Sequence, residues 1–229
     1  MDKTAIRDAA TIIVLRDTQT APAVLMGQRG ATAAFMPGKF VFPGGAVDPN
    51  DAQVPTTPVT DLDGERLTQE SHLPPAALAA AAIRELWEET GQILGHTQAW
   101  DNPPPGWRGF AHAGFVPHAA ALRFFFRAVT PAGNPRRFDA RFFLIDAAAI
   151  ASDLDDFSRA EDELSHLQWV PLAKARHEYD LPFITEVVLA EVEARAHDTN
   201  PPNSVPFFRN DDEASLFLRL RGYTPRSDD

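Results

Sequence analysis

The chain has 229 residues, enough to bury one sizeable core, and is expected to form a single domain over 1–229 with one insertion and a C-terminal extension. Its net charge of −11 lacks the basic footprint of a general nucleic-acid binder, although local cations could still serve a small anionic substrate. It has no cysteine, so disulfide and thiolate chemistry are excluded, and its N-terminal MDKTAIRDAATIIVL is too acidic for a signal peptide and too short in its apolar run for a membrane span, which predicts a cytoplasmic location.

Thr11–Leu15 and Ala23–Met26 are β-branched or apolar runs parted by the polar, proline-bearing Arg16–Pro22, the pattern of two strands and a turn. The loop that follows, GQRGATAAFMPGKFVFPGG, holds one strand-like piece, Lys39–Phe42, which runs into Pro43-Gly44-Gly45. Such a Pro-Gly-Gly is either a plain turn or a place where missing Cβ atoms let the backbone approach a metal or a phosphate. After Asp51, the stretch of about 52–74 is rich in proline, threonine and acids and has no strong period. It reads as a surface excursion, either an idle insertion or a lid or specificity loop.

Ala76–Gly91, AALAAAAIRELWEETG, is predicted helical from its alanines, the Pro74-Pro75 start and the Gly91 stop. Glu85, Glu88 and Glu89 then lie at i, i+3 and i+4 on one side, opposite Ala79, Ile83, Leu86 and Trp87, which form an apolar face. Like charges so spaced cost roughly 0.2–0.5 kcal/mol per pair unless a cation sits among them. Three hard oxygen donors suit Mg²⁺ or Mn²⁺ and suit zinc poorly; otherwise the cluster is a solvated acidic face.

A glycine, five residues, an acid, then R-E-hydrophobic-x-E-E-x-G resembles the signature of the Nudix hydrolases, with Gly45, Asp51, Arg84, Glu85, Leu86, Glu88, Glu89 and Gly91 in matching places. The chain departs from the pattern in having Asp51 for the usual glutamate, Gln92 for an apolar residue, and all of Ala52–Ile83 where the family has seven residues. This split box, with FMPG ahead of it, is similar to a subgroup like the peroxisomal coenzyme A diphosphohydrolases. Arg29, Gly38, Phe42, Pro43, Gly44 and Gly45 fit the spacing of the coenzyme A signature, whose second arginine is Ala34 here.

Downstream, GHTQAWDNPPPGWRGFAHAGFVPHAA is an aromatic loop that either caps a pocket or packs through Trp100, Trp107 and Phe110. Leu122–Val129 and Arg141–Ile145 are strand-like. Between them Arg136 and Arg137, with Arg141, are either salt-bridged internally or candidate phosphate ligands. The segment with Glu161 and Glu163 before the strand Leu167–Val170 resembles a Nudix loop that faces the metal, making both acids candidates to assist water activation; otherwise they are solvated. Pro182–Ala196 has an amphipathic helical pattern, and the tail from Asn200 is expected to add one short strand.

The resemblance implies an α/β/α sandwich around a mixed sheet and metal-dependent hydrolysis of a phosphoanhydride in a nucleoside diphosphate linked to another group, preferably coenzyme A or an acyl-coenzyme A. It implies Mg²⁺ or Mn²⁺ held by Glu85, Glu88, Glu89 and a backbone carbonyl near Gly45. Glu85, Glu88, Glu89 and Glu163 are then the catalytic candidates, and Arg29, Gly44, Gly45, Arg136 and Arg137 the substrate-binding ones. Arg84 would fix a glutamate, and Asp51 would tie the loop to the helix. ADP-ribose, a nucleotide sugar or a dinucleotide is the alternative substrate, and a non-catalytic sensing module the third reading. The expected partner is a small nucleotide-type molecule, with neither nucleic acid nor membrane, and a homodimer is left open.

Overall fold

The computed structural model describes residues 5–33, 35–196, 202–210 and 215–222. In chain order the strands are β1 (Ile6–Arg16), β2 (Ala23–Arg29), β3 (Phe40–Val41), β4 (Gly44–Ala46), β5 (Gly95–Thr97), β6 (Phe115–Pro117), β7 (Arg123–Val129), β8 (Arg137–Asp146), β9 (Leu164–Pro171), β10 (Val205–Asn210) and β11 (Ser215–Leu220). The helices are α1 (Asp61–Thr68), α2 (Pro75–Thr90), α3 (Arg108–His112), α4 (Leu172–Glu178) and α5 (Phe183–Arg195).

One mixed sheet runs β11-β10-β7-β8-β1-β2-β3, with β4 also on β1 and β9 on β2, while β5 and β6 form a small sheet of their own. β1 pairs in parallel with β8 from Ile6↔Arg137 to Leu15↔Asp146, which extends both strands beyond the apolar runs visible in the sequence. Side chains alternate across β1. Ala10, Ile12 and Val14 join the core beneath α2, and Ile13 and Leu15 join Val188, Leu189 and Val192 of α5 in the core on the other face. The expected mixed sheet between helices is therefore present.

Three expectations are corrected. Pro43-Gly44-Gly45 is not a plain turn, because Gly44 and Gly45 lie in β4, opposite Thr11 and Ala10 of β1. The stretch of about 52–74 is not structureless. It contains α1, capped where Thr60 Oγ1 accepts from the Asp63 N–H at 3.3 Å, and it buries Arg66 and Leu67. Sheet residues clip it down: Arg127 donates from Nη1 to the Gln69 carbonyl and from Nη2 to the Glu70 carbonyl, both at 2.7 Å, and Arg141 Nη2 donates to Ser71 Oγ at 3.0 Å. The C-terminal extension supplies two strands rather than one, with β10 parallel to β7 and Phe207 in the core. Among the described residues no helix is long and apolar enough to cross a membrane.

Arg127 is buried, and it also pairs with Asp139 at 2.6 Å, so its loss strands a carboxylate and two backbone carbonyls together. Arg127→Ala is expected to cost about 3 kcal/mol in urea unfolding and to open the segment around Gln69–Ser71 to limited proteolysis at native pH.

Candidate functional site

The last two turns of α2 lie against β4, and the fit depends on two missing side chains. A Cβ on Gly45 would fall 2.6 Å from both carboxylate oxygens of Glu85, and one on Gly44 would fall 2.6 Å from Thr11 Oγ1 and 2.7 Å from the Ala10 carbonyl oxygen. A larger residue at Gly44 would press on the β1 backbone and push β4 away from it, whereas one at Gly45 would displace the Glu85 carboxylate. In the space so made, the Gly44 N–H donates to Glu89 Oε2 at 2.8 Å.

Arg84 organises the other side of the helix. Its Nε and Nη2 donate to Asp51 Oδ1 and Oδ2 at 3.0 and 3.1 Å, Nη1 donates to Glu85 Oε1 at 2.8 Å and Glu88 Oε2 at 2.7 Å, and Nη2 reaches the Ala46 carbonyl at 2.9 Å. Its guanidinium is raised above its ordinary pKa: burial opposes the charge, but the hydrogen bonds it donates to Asp51 and the charges of Glu85, Asp51 and Glu88 outweigh it. Asp51 is itself buried at the end of a capping box. Its Oδ2 accepts from the Asp48 N–H at 2.8 Å while Oδ1 accepts from Trp107 Nε1 at 3.1 Å. Every oxygen of Asp51 is committed to this framework, which is why an aspartate suffices there.

The three glutamates differ in environment. Burial pushes the Glu85 carboxyl up to about 7, with Glu88 and Glu163 adding repulsion and Arg84 offsetting part of it. Glu89 is raised well above the ordinary range, first by burial and then by the charge of Glu85. Glu88 is also raised by burial, but its side chain is partly exposed and leans on Arg84. Glu89 Oε1 is buried and has no hydrogen-bond partner among the described residues. Carboxylates whose charge is this poorly compensated call for a cation.

Glu163, at the end of the loop that leads into β9, pairs with Arg29 at 2.9 Å and faces the same space. Glu161 is held nearby by its N–H, which donates to the Glu88 carbonyl at 2.8 Å. Gln92 stands where the signature has an apolar residue, and no local pattern marks its role. It is buried, its Nε2 donates to the Asp153 and Asp156 carbonyls at 3.0 and 3.1 Å, and its Oε1 accepts from Ser152 Oγ at 2.8 Å. It thereby holds the loop that leads to Glu161 and Glu163. Trp107, the hydrogen-bond partner of Asp51, was visible only as an aromatic in a loop; it and Phe110 are fully buried, so packing explains them.

A cavity of about 470 Å³ opens from this point along the sheet face under α5. Glu85, Gly44, Gly45, Arg29, Glu163 and Arg136 all line it. Arg137 does not. Its side chain is buried on the opposite face of β8, where Nε donates to the Thr130 carbonyl at 3.1 Å and Nη2 to the Asn210 carbonyl at 3.3 Å, so it is withdrawn as a phosphate ligand. Arg141 likewise points away and pairs with Asp8 and Asp139.

Among the described residues no three acidic or histidine side chains are already arrayed as a metal cluster. The residues nonetheless fit a hard divalent ion. Glu89 offers an orphaned oxygen, Glu85 lies against the Cβ-free Gly45, Glu88 is one turn away, and every donor is oxygen.

No family model matches the chain. A Caenorhabditis elegans protein assigned the name nudix hydrolase 7 is 31% identical over 177 residues, which cover 72% of this chain. The chain spans about half the length of that relative, 51%. A Nudix hydrolase from Alicyclobacillus acidocaldarius has a solved structure that superposes with a TM-score of 0.64 at 28% identity, covering 87% of this chain and 99% of that one.

Gly45→Ala is expected to leave cooperative unfolding intact and to weaken Mn²⁺ binding by about tenfold or more, read by titration calorimetry. Because Glu85 binds its proton near pH 7 when folded and near 4.5 otherwise, the folded state holds the extra proton in that window. Metal-free stability should therefore fall as pH rises from about 4.5 to about 7, and Glu85→Gln should flatten this slope in urea titrations.

Proposed function

Since the chain belongs to the Nudix hydrolase superfamily, we propose that it is a metal-dependent pyrophosphohydrolase that cleaves a phosphoanhydride in a nucleoside diphosphate linked to a second group. The observation that carries this reading is the meeting of the Glu85 and Glu89 carboxylates with Gly44 and Gly45 at one end of a cavity large enough for such a molecule.

Divalent ions, when bound, would neutralise the diphosphate and lower the pKa of a water. The ion-holding residues would be Glu85, Glu88 and Glu89, with the Gly45 backbone beside them, and the oxygen-only donor set favours Mg²⁺ or Mn²⁺. Arg84 keeps these acids in place and is not itself turned to the substrate. Arg29 is suited to a substrate phosphate. It lines the cavity, and its Nε is buried without a hydrogen-bond partner among the described residues. Glu85 and Glu163 both face the cavity, so a proton released by an attacking water has a carboxylate to receive it from either wall.

Coenzyme A or an acyl-coenzyme A is the preferred substrate. Arg29 and Gly38 of the matching signature meet across the base of the loop between β2 and β3, where Gly38 has φ +72° and its N–H donates to the Arg29 carbonyl at 3.1 Å. The aromatic side chains Phe35, Phe42, Phe138, Phe142, Phe183 and Phe208 give the cavity an apolar wall suited to a thioester chain or a base. ADP-ribose, a nucleotide sugar or a dinucleotide is the alternative, favoured by Ala34 where the signature has its second arginine; that position lies outside the described residues.

With Mg²⁺ or Mn²⁺, release of 4′-phosphopantetheine and 3′,5′-ADP from coenzyme A is expected by mass spectrometry, whereas AMP from ADP-ribose alone would shift the reading to the alternative. Glu88→Gln and Glu89→Gln should each lose at least about tenfold in rate while remaining folded, and unchanged rates in both would remove their role.

A further inference from the structure

The floor of the cavity is laid by two adjacent parallel strands. Arg7↔Phe138, Ala9↔Ala140 and Thr11↔Phe142 are successive pairs along β1 and β8, and all six side chains line the cavity. Arg136, one step before β8, continues the same row of alternate residues and lines the cavity too. The floor thus has two chemically different ends. At one, Thr11 and Ala10 pair with Gly44 and Gly45 beside the glutamates. At the other stand Arg7 and Arg136.

These two guanidinium groups have no partner among the described residues, unlike Arg29, Arg84, Arg127 and Arg141, each of which is tied to a carboxylate. The strand alternation explains why. Asp8 and Asp139, their neighbours in sequence, point to the opposite face and are taken by Arg141 and Arg127. The carboxylates that line the cavity, Glu85 and Glu163, are at the Gly45 and Arg29 end. In a chain of net charge −11, two exposed arginines that line the same end of a substrate cavity and have no carboxylate partner among the described residues mark a place for an anion. Thr130 and Asn134 from the β7–β8 turn stand beside them as polar neighbours.

From Ala10, which faces Gly45, to Arg7 is three residues of strand, or about 10 Å at the usual rise per residue. A cation pair whose backbone stands this far along the strand from the glutamates is placed to take a second anionic group of the substrate rather than the anhydride held at Gly45. We propose that Arg7 and Arg136 form a second phosphate subsite that takes a phosphate monoester carried by the nucleotide half of the substrate, apart from the diphosphate at Gly45. This rests on reading the cavity as the substrate site. It narrows the substrate class to nucleoside diphosphate derivatives bearing a further phosphate, and it sets them apart from ADP-ribose and unphosphorylated dinucleotides.

The test is binding, so that it does not depend on turnover. Titration calorimetry of the intact chain with adenosine 3′,5′-bisphosphate and with AMP, at fixed ionic strength, is expected to show the bisphosphate bound about tenfold more tightly or better. In Arg7→Gln/Arg136→Gln, checked for native circular dichroism, that preference should vanish while AMP affinity stays within about twofold. Equal affinity for the two ligands in the native chain, or a preference that survives in the double variant, overturns the subsite. Hydrolysis of coenzyme A by the native chain is measured separately. Its absence beside an intact binding preference would count against the hydrolase reading and leave the subsite standing, and the converse result would do the reverse.

Discussion

The arrangement at the Gly45 end of the cavity depends on one guanidinium. Arg84 is wedged between the turn that carries Asp51 and the acidic face of α2, and its three nitrogens are spent on two aspartate oxygens, two glutamates and one backbone carbonyl. A bidentate grip on a buried carboxylate fixes the plane of the guanidinium, and that plane then sets where Glu85 and Glu88 can lie. Removing any one partner would leave charge uncompensated in a poorly solvated place, so the network is stable only as a whole.

Within that frame the carboxylates are costly. Among the described residues Glu89 keeps a buried oxygen without a hydrogen bond, and on top of burial Glu85 raises the proton affinity of Glu89 while Glu88 and Glu163 raise that of Glu85. A fold selected for stability alone would gain little from this arrangement. A divalent ion reverses its sign, since the same crowding that disfavours free carboxylates favours their complex with a hard cation. Gly44 and Gly45 belong to the same design, because their bare backbone is what lets the helix, β4 and β1 approach so closely.

The insertion that splits the signature does not cover the cavity, whose lining includes none of its residues. It runs on the other side of the sheet and is held there by Arg127, Arg141 and α1. Arg66 extends the attachment, donating from Nη2 to the Pro202 carbonyl at 2.8 Å, just before β10. Signature halves far apart in sequence can therefore meet without strain: Asp51 and Arg84 are brought together by packing on both sides of a folded excursion rather than by a short tether. The two parts of the chain that looked least informative, the insertion and the C-terminal tail, thus brace each other at the sheet edge.

What the residues alone determined was local: the helix with glutamates at i, i+3 and i+4, its Gly91 stop with φ +73°, and the strand composition of β1, β2, β7 and β8. These follow from periodicity and from turn chemistry, which act over a few residues. Tertiary structure decided which charges are spent and which are free. Adjacent positions along the chain face opposite sides, so Arg136 opens on the cavity while Arg137 is buried, and among the described residues Arg7 has no partner while Asp8 beside it is taken by Arg141. Such a distinction depends on register between strands more than a hundred residues apart in the chain, and on the burial of each partner. No pattern within a short window carries that information, because the free energy that sorts these charges exists only once the sheet has formed.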